Sequence, residues 1–174
     1  MTPDFDPDEP VFPYGPDEAY SLPQSPAIGL AATVIVAWQC RMTVRAVTMA
    51  PAHVEFLSDG RPSHILAVLL AGYHADRAVT RLPEPIAAAR HADHIRAARD
   101  INTAMPGRGT GAMADYAARQ LVYEHDADIR RLACALEDAP GGCLSADDLM
   151  VFALARGLLA KFEHPAFIFA GDKP

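Results

Sequence analysis

The chain has 174 residues, of which 51% are hydrophobic and 21% charged, with a mean hydropathy of +0.05. That is about one domain's worth of chain with enough apolar content to bury a core, which excludes wholesale disorder and a second large catalytic module. Net charge is −7, but six acids (Asp4, Asp6, Asp8, Glu9, Asp17 and Glu18) stand in the first 20 residues, where no base occurs; without those six it falls to −1. A nearly neutral body behind an acidic tail lacks the basic footprint of a nucleic-acid binder, so nucleic acid is not an expected partner.

Residues 1 to 24 hold six of the 15 prolines besides the acidic cluster, and read as an extended or disordered tail. No Lys or Arg precedes an apolar stretch there, so the tail does not read as a secretory signal. Ser25-Pro26 reads as a helix cap followed by proline at the first helical position, opening a helix to about Arg41. Ile28, Leu30, Val34, Ile35 and Trp38 among alanines make this helix apolar on nearly all sides, as expected at the centre of a core. Its apolar length, 27 to 40, falls short of the ~20 residues a bilayer demands, so no membrane span is expected.

Alternation from Met42 to Ala50, then His53 to Leu57 after Pro51, predicts one or two short strands, closed by Ser58-Asp59-Gly60-Arg61-Pro62. Ile65, Leu66, Leu69 and Tyr73 keep helical spacing in the next segment. Pro83-Glu84-Pro85 interrupts it, and a third helix is predicted over 86 to 103. After the loop 105 to 111, residues 112 to 124 and the Ile129, Leu132, Ala133, Leu136 series predict one bent helix or two consecutive ones. Ala139-Pro140-Gly141-Gly142 stops the chain before Ser145-Ala146-Asp147-Asp148, a capping-box-like start to a last helix through about Phe162. The expected fold is mostly α (α+β), with a small β element after the first helix. Its expected organisation is a tail (1 to 24), one helical domain (25 to 163) and a C-terminal apolar tail (164 to 174).

The order of these segments resembles the peptidase domain of the FtsH family of ATP-dependent zinc metalloproteases, across about residues 25 to 162. Val47-Thr48-Met49-Ala50-Pro51 is similar to the family's strand after its zinc-binding helix, and Ala67-Val68-Leu69-Leu70-Ala71-Gly72-Tyr73-His74-Ala75-Asp76-Arg77 to its next helix. Ala92-Asp93-His94-Ile95-Arg96-Ala97-Ala98 resembles the helix that carries the third zinc ligand, which the resemblance places at Asp93. The family's H-E-x-x-H falls on Gly29-Leu30-Ala31-Ala32-Thr33, so Gly29, Leu30 and Thr33 stand where two histidine ligands and the general base would be. Zinc hydrolysis needs two imidazoles four apart, a third ligand and a carboxylate base, and a lone Asp93 cannot hold the ion. No G-x-x-x-x-G-K-[ST] occurs either. The resemblance therefore implies a peptidase scaffold without metal or hydrolytic chemistry, and no cofactor.

A rebuilt zinc site is the alternative: His91 and His94 lie three apart with Asp93 between them, and His74 sits on the preceding helix. Solvated surface histidines are the simpler reading. Gly107-Arg108-Gly109-Thr110-Gly111 has the composition of an amide nest for an anion, against the plainer reading of a connector. Cys40, Cys134 and Cys143, with no C-x-x-C spacing, fit a reducing interior, and Cys40, at the end of the apolar helix, reads as a buried inert thiol. His164-Pro165-Ala166-Phe167-Ile168-Phe169 would dock another chain if exposed. The expectation is a cytoplasmic, inactive, FtsH-peptidase-like binding or regulatory module with a protein or peptide partner, or a second copy through its last helices. The other alternative is a helical accessory protein unrelated to peptidases.

Overall fold

The computed structural model describes residues 25–58, 60–104, 109–160 and 165–167. They form a mostly α fold: seven α-helices and one three-stranded antiparallel sheet among the described residues. The first helix, α1 (Ala27–Gln39), runs through the centre, with eleven of its thirteen residues buried. Thr33, Val34, Ile35 and Val36 are β-branched and poor helix formers, so packing on every side holds this segment helical. Its start lies one residue later than Ser25-Pro26 predicts. Pro26 is the N-cap, and the Ser25 hydroxyl accepts from the Ala27 N–H at 3.2 Å.

Arg41, at φ 61°, turns the chain back into β1 (Thr43–Met49) and β2 (Ala52–Leu57), which pair antiparallel across a cis Ala50-Pro51 bond. A bulge between Val44 and Ala46 interrupts the alternation, and Val44, Val47 and Val54 face the core. On the other side of β1 lies β3 (Cys143–Ser145), giving the order β2-β1-β3.

Helix α2 (Pro62–Ala78) opens with proline in its first turn and packs between α1 and α5 (Thr110–Glu124). Helix α6 (Asp126–Asp138) covers the remaining flank of α1 with Ile129, Leu132 and Leu136, all fully buried. Each such side chain contributes about 1.5–3 kcal/mol through burial. The one-or-two-helix expectation for 112 to 136 resolves as two, broken at His125 (φ −108°, ψ 17°).

Two expected helices end differently. The segment predicted as one helix over 86 to 103 is two, α3 (Glu84–Arg90) and α4 (Ala92–Ala104), broken at His91 (φ −105°, ψ 21°). The last helix, α7 (Ala146–Arg156), has the capping box predicted at Ser145 and Asp148. It stops well before Phe162, because Gly157 adopts φ 64° and closes it. Trp38 and Cys40 are buried as expected, whereas Cys134 and Cys143 are exposed. Of the C-terminal apolar segment, only 165–167 is described; Phe167 is buried with its ring 4.7 Å from that of His64, so this residue is core and offers no docking surface. No helix among the described residues is long and apolar enough to cross a membrane.

Candidate functional site

A cavity of about 220 Å³ opens where α1, α2 and the α3/α4 break meet. Helix α1 supplies Gly29, Leu30 and Thr33, the first and last of which share a face at i, i+4 spacing. The Thr33 hydroxyl donates to the Gly29 carbonyl at 2.9 Å, back-bonding within its own helix. Asp93, which the FtsH resemblance groups with these three, lines the same cavity. Its side chain is 90% exposed and pairs with Arg96 at 3.4 Å, which places it on the rim.

Helix α2 contributes Asp76 to the floor. Its carboxylate is 1% exposed, and Oδ2 accepts from Arg90 Nη1 at 3.1 Å and lies 2.9 Å from His91 Nε2. A buried carboxylate is costly unless opposite charge or hydrogen bonds offset the loss of water, and these two partners do so. Oδ1 has no hydrogen-bond partner among the described residues. Both partners stand at the α3/α4 break, Arg90 as the last residue of α3 and His91 between the two helices.

The His91 imidazole sits against the seam between α1 and α2, over two residues without side chains. A Cβ on Gly72 would stand 2.7 Å from His91 Cε1, and one on Gly29 would stand 3.1 Å from the same atom. Gly29 and Gly72 therefore make the space that His91 occupies. This arrangement was not visible in the sequence, where Gly72, Arg90 and the Asp76–His91 pair carried no functional reading. Two glycines on separate helices were the available signal, and only their pairing in space gives it meaning.

His94 completes the wall, its ring 6.2 Å from that of His91. Burial holds its pKa below the ordinary 6.5, and the neighbouring His91 and His53 act in the same direction against the opposing pull of Asp93. His94 is thus a neutral ring at neutral pH. His74, the remaining residue of the alternative zinc set, lies elsewhere: its Nε2 is 2.9 Å from Asp115 Oδ1 on α5, and burial lowers its pKa despite that carboxylate. The structure brings His91 and His94 together and leaves His74 out. No group of three or more His, Cys, Asp or Glu side chains among the described residues is arranged to hold a metal ion. Of the glycine-rich connector, Gly107 and Arg108 lie outside the described residues, Gly109 caps α5 at φ 98°, Thr110 is buried, and Gly111 packs on Asn102.

A second hollow, about 290 Å³, lies between Trp38 and Met42 on one side and Leu149, Met150 and Leu159 on the other. Next to it, Val151 and Leu154 leave an apolar strip on the outer face of α7, at 67% and 64% exposed. The chain matches no family model, no curated protein and no solved structure.

Proposed function

We propose that this chain is a catalytically inactive, FtsH-peptidase-like domain that works as a binding or regulatory module through the cavity between α1 and α4. One observation carries the reading: Gly29, Leu30 and Thr33 on α1 and the sequence-distant Asp93 on α4, singled out by resemblance alone, line one cavity. The zinc of that family does not fit the residues present. Gly29, Leu30 and Thr33 offer no imidazole and no carboxylate, and the space between Gly29 and Gly72 is filled by His91. The chemistry left is recognition: a concave surface with a buried charge cluster and an apolar wall, suited to a peptide or small ligand. The rebuilt hydrolase finds less support, since His74 is tied to Asp115 and His91 Nε2 is engaged by Asp76. Three free cysteines accord with a reducing, cytoplasmic setting.

Zinc uptake tests this reading. Wild-type chain purified without an affinity tag is expected to hold no stoichiometric zinc and to keep its thermal stability in chelator. A chain with Gly29→His, Thr33→His and His91→Ala is expected to bind one zinc through both new imidazoles and Asp93, because all three positions line one cavity. Tight zinc in the wild type, or a restored chain that folds by circular dichroism yet takes up none, would overturn the proposal.

A further inference from the structure

We infer that the outer face of α7 pairs with the same face of a second copy of this chain, antiparallel about a two-fold axis, as a weak dimer independent of the cavity above. The segment Leu149 to Leu154 is apolar without a break. Leu149 and Ala153 are buried and Phe152 packs against the core, while Met150, Val151 and Leu154 face outward. A helix on a protein surface ordinarily turns polar residues to the outside; this one is apolar on both sides, as a helix with neighbours on both sides is. Asp147, Met150, Val151 and Leu154 fall at i, i+3, i+4 and i+7, so they form one stripe.

The distribution of charge selects the occupant. The charged residues of α7 stand only at its ends, Asp147 and Asp148 in the first turn and Arg156 in the last. Arg41 borders the hollow beside Ala146 and offsets one of the two acids. At the other end Asp128 Oδ1 receives both Arg131 at 3.3 Å and Arg156 at 2.9 Å, so one carboxylate serves two guanidiniums. The start of the helix therefore keeps one surplus negative charge and its end one surplus positive charge. Arg45 and Glu55 on the adjoining strands cancel at 3.6 Å, and Lys161 and Glu163, the next charges along the chain, have opposite signs. A second copy laid antiparallel sets each start against the other's end, so unlike charges meet twice, and the helix dipoles oppose in the same favourable sense. Centred near residue 152, this register puts Met150 opposite Leu154 of the second copy. Met150 borders the hollow of about 290 Å³, so each Leu154 has a recess of the other copy before it. Such a contact is self-complementary and closes at two chains. Eleven residues make a helix only about 16 Å long, too short to bury the ~800 Å² per partner of a tight complex, which makes the dimer weak and dependent on concentration.

Sedimentation velocity of the full chain tests this. The mass is expected to be that of one chain at low micromolar concentration, to rise to two in the submillimolar range and to go no further. Val151→Lys and Leu154→Lys alter exposed positions. Each is expected to keep the wild-type circular dichroism at low concentration and to hold the chain single throughout the range. Asp147→Arg and Arg156→Glu should each weaken self-association by about two- to thirtyfold, because the charge contact occurs twice. Mixed together, these two variants bring unlike charges to both ends again and should associate with each other about as tightly as the wild type. Arg156→Glu also touches Asp128, so recovery in the mixture, which a merely damaged chain would not show, is the deciding result. A chain that stays single at every concentration would overturn the inference and leave the strip to residues 1–24 or to a different protein. Assembly beyond two chains, a dimer that survives both lysine variants, or a mixture no tighter than its separate components would overturn it as well.

Discussion

Replacing Gly72 with alanine tests whether two glycines hold the seam open for His91. In a helix interior the change alone should stabilise by about 1 kcal/mol, since alanine restricts the unfolded chain and favours helix. Here the new methyl would sit 2.7 Å from His91 Cε1 and 3.1 Å from Nδ1, well inside contact distance. The ring must move, and it is fixed by Asp76 at 2.9 Å on its other side. Overpacking of this kind costs about 1–3 kcal/mol. Losing a hydrogen bond to a charged acceptor adds about 1.5–3 kcal/mol. After the helix gain is set against them, Gly72→Ala should destabilise by about 1.5–5 kcal/mol. In a His91→Ala background the clash is gone, and the next atom is the Gly29 carbonyl oxygen at 3.4 Å, an ordinary contact. There Gly72→Ala should stabilise by about 1 kcal/mol. Urea unfolding of the four chains of the cycle gives both values from midpoints and slopes. The same sign and size of effect in both backgrounds would refute the account.

Leu136→Ala, at a fully buried position on α6, should cost about 2–5 kcal/mol in the same unfolding assay. Ser145→Ala removes the hydroxyl that caps α7 and should cost about 1 kcal/mol. Asp148 lies below its ordinary pKa of 3.8 because the Ser145 hydroxyl and backbone N–H both donate to it. Its contribution is therefore present above that value and fades as pH falls through the depressed one, and a carboxyl-detected NMR titration should find it returned toward 3.8 in Ser145→Ala. For His74, burial outweighs Asp115, so the unfolded chain protonates near 6.5 while the folded chain resists to lower pH. Stability should therefore decline as pH drops below about 6.5 and level off once the folded ring is protonated, and His74→Gln should flatten that part of the profile.

The elements most legible from sequence were those whose own residues specify them. The capping box at Ser145 and Asp148 is a local hydrogen-bond pattern, and the all-round apolar composition of α1 leaves it no place except the centre. The break at His91 was not legible, because no Pro or Gly marks it, and the contacts of its imidazole and of Arg90 are with Asp76 on another helix, distant in sequence. Strand β3 escaped notice for a related reason. Three residues are too few to show alternation, and Cys143–Ser145 is extended only because β1 offers it an open edge. In the site, resemblance picked out Gly29, Leu30, Thr33 and Asp93. It assigned no role to Gly72 or Arg90, and it offered His91 only as a zinc ligand, whereas its ring is held by Asp76.

Gly29 ties these points together, since its missing side chain admits an imidazole. Any side chain placed there presses on His91 from 3.1 Å, and displacing that ring takes from the buried Asp76 carboxylate one of its two partners. Losing a hydrogen bond to a buried charged acceptor costs about 1.5–3 kcal/mol, a sizeable share of the 5–15 kcal/mol that holds a typical domain folded. A histidine placed at position 29 alone would meet that cost before any metal could offset it, having only Asp93 as a second ligand. A metal site built at position 29 would therefore require His91 to be moved first. The cluster of Asp76, Arg90 and His91 is the tie between α2 and the α3/α4 break, and all three of its residues line the cavity.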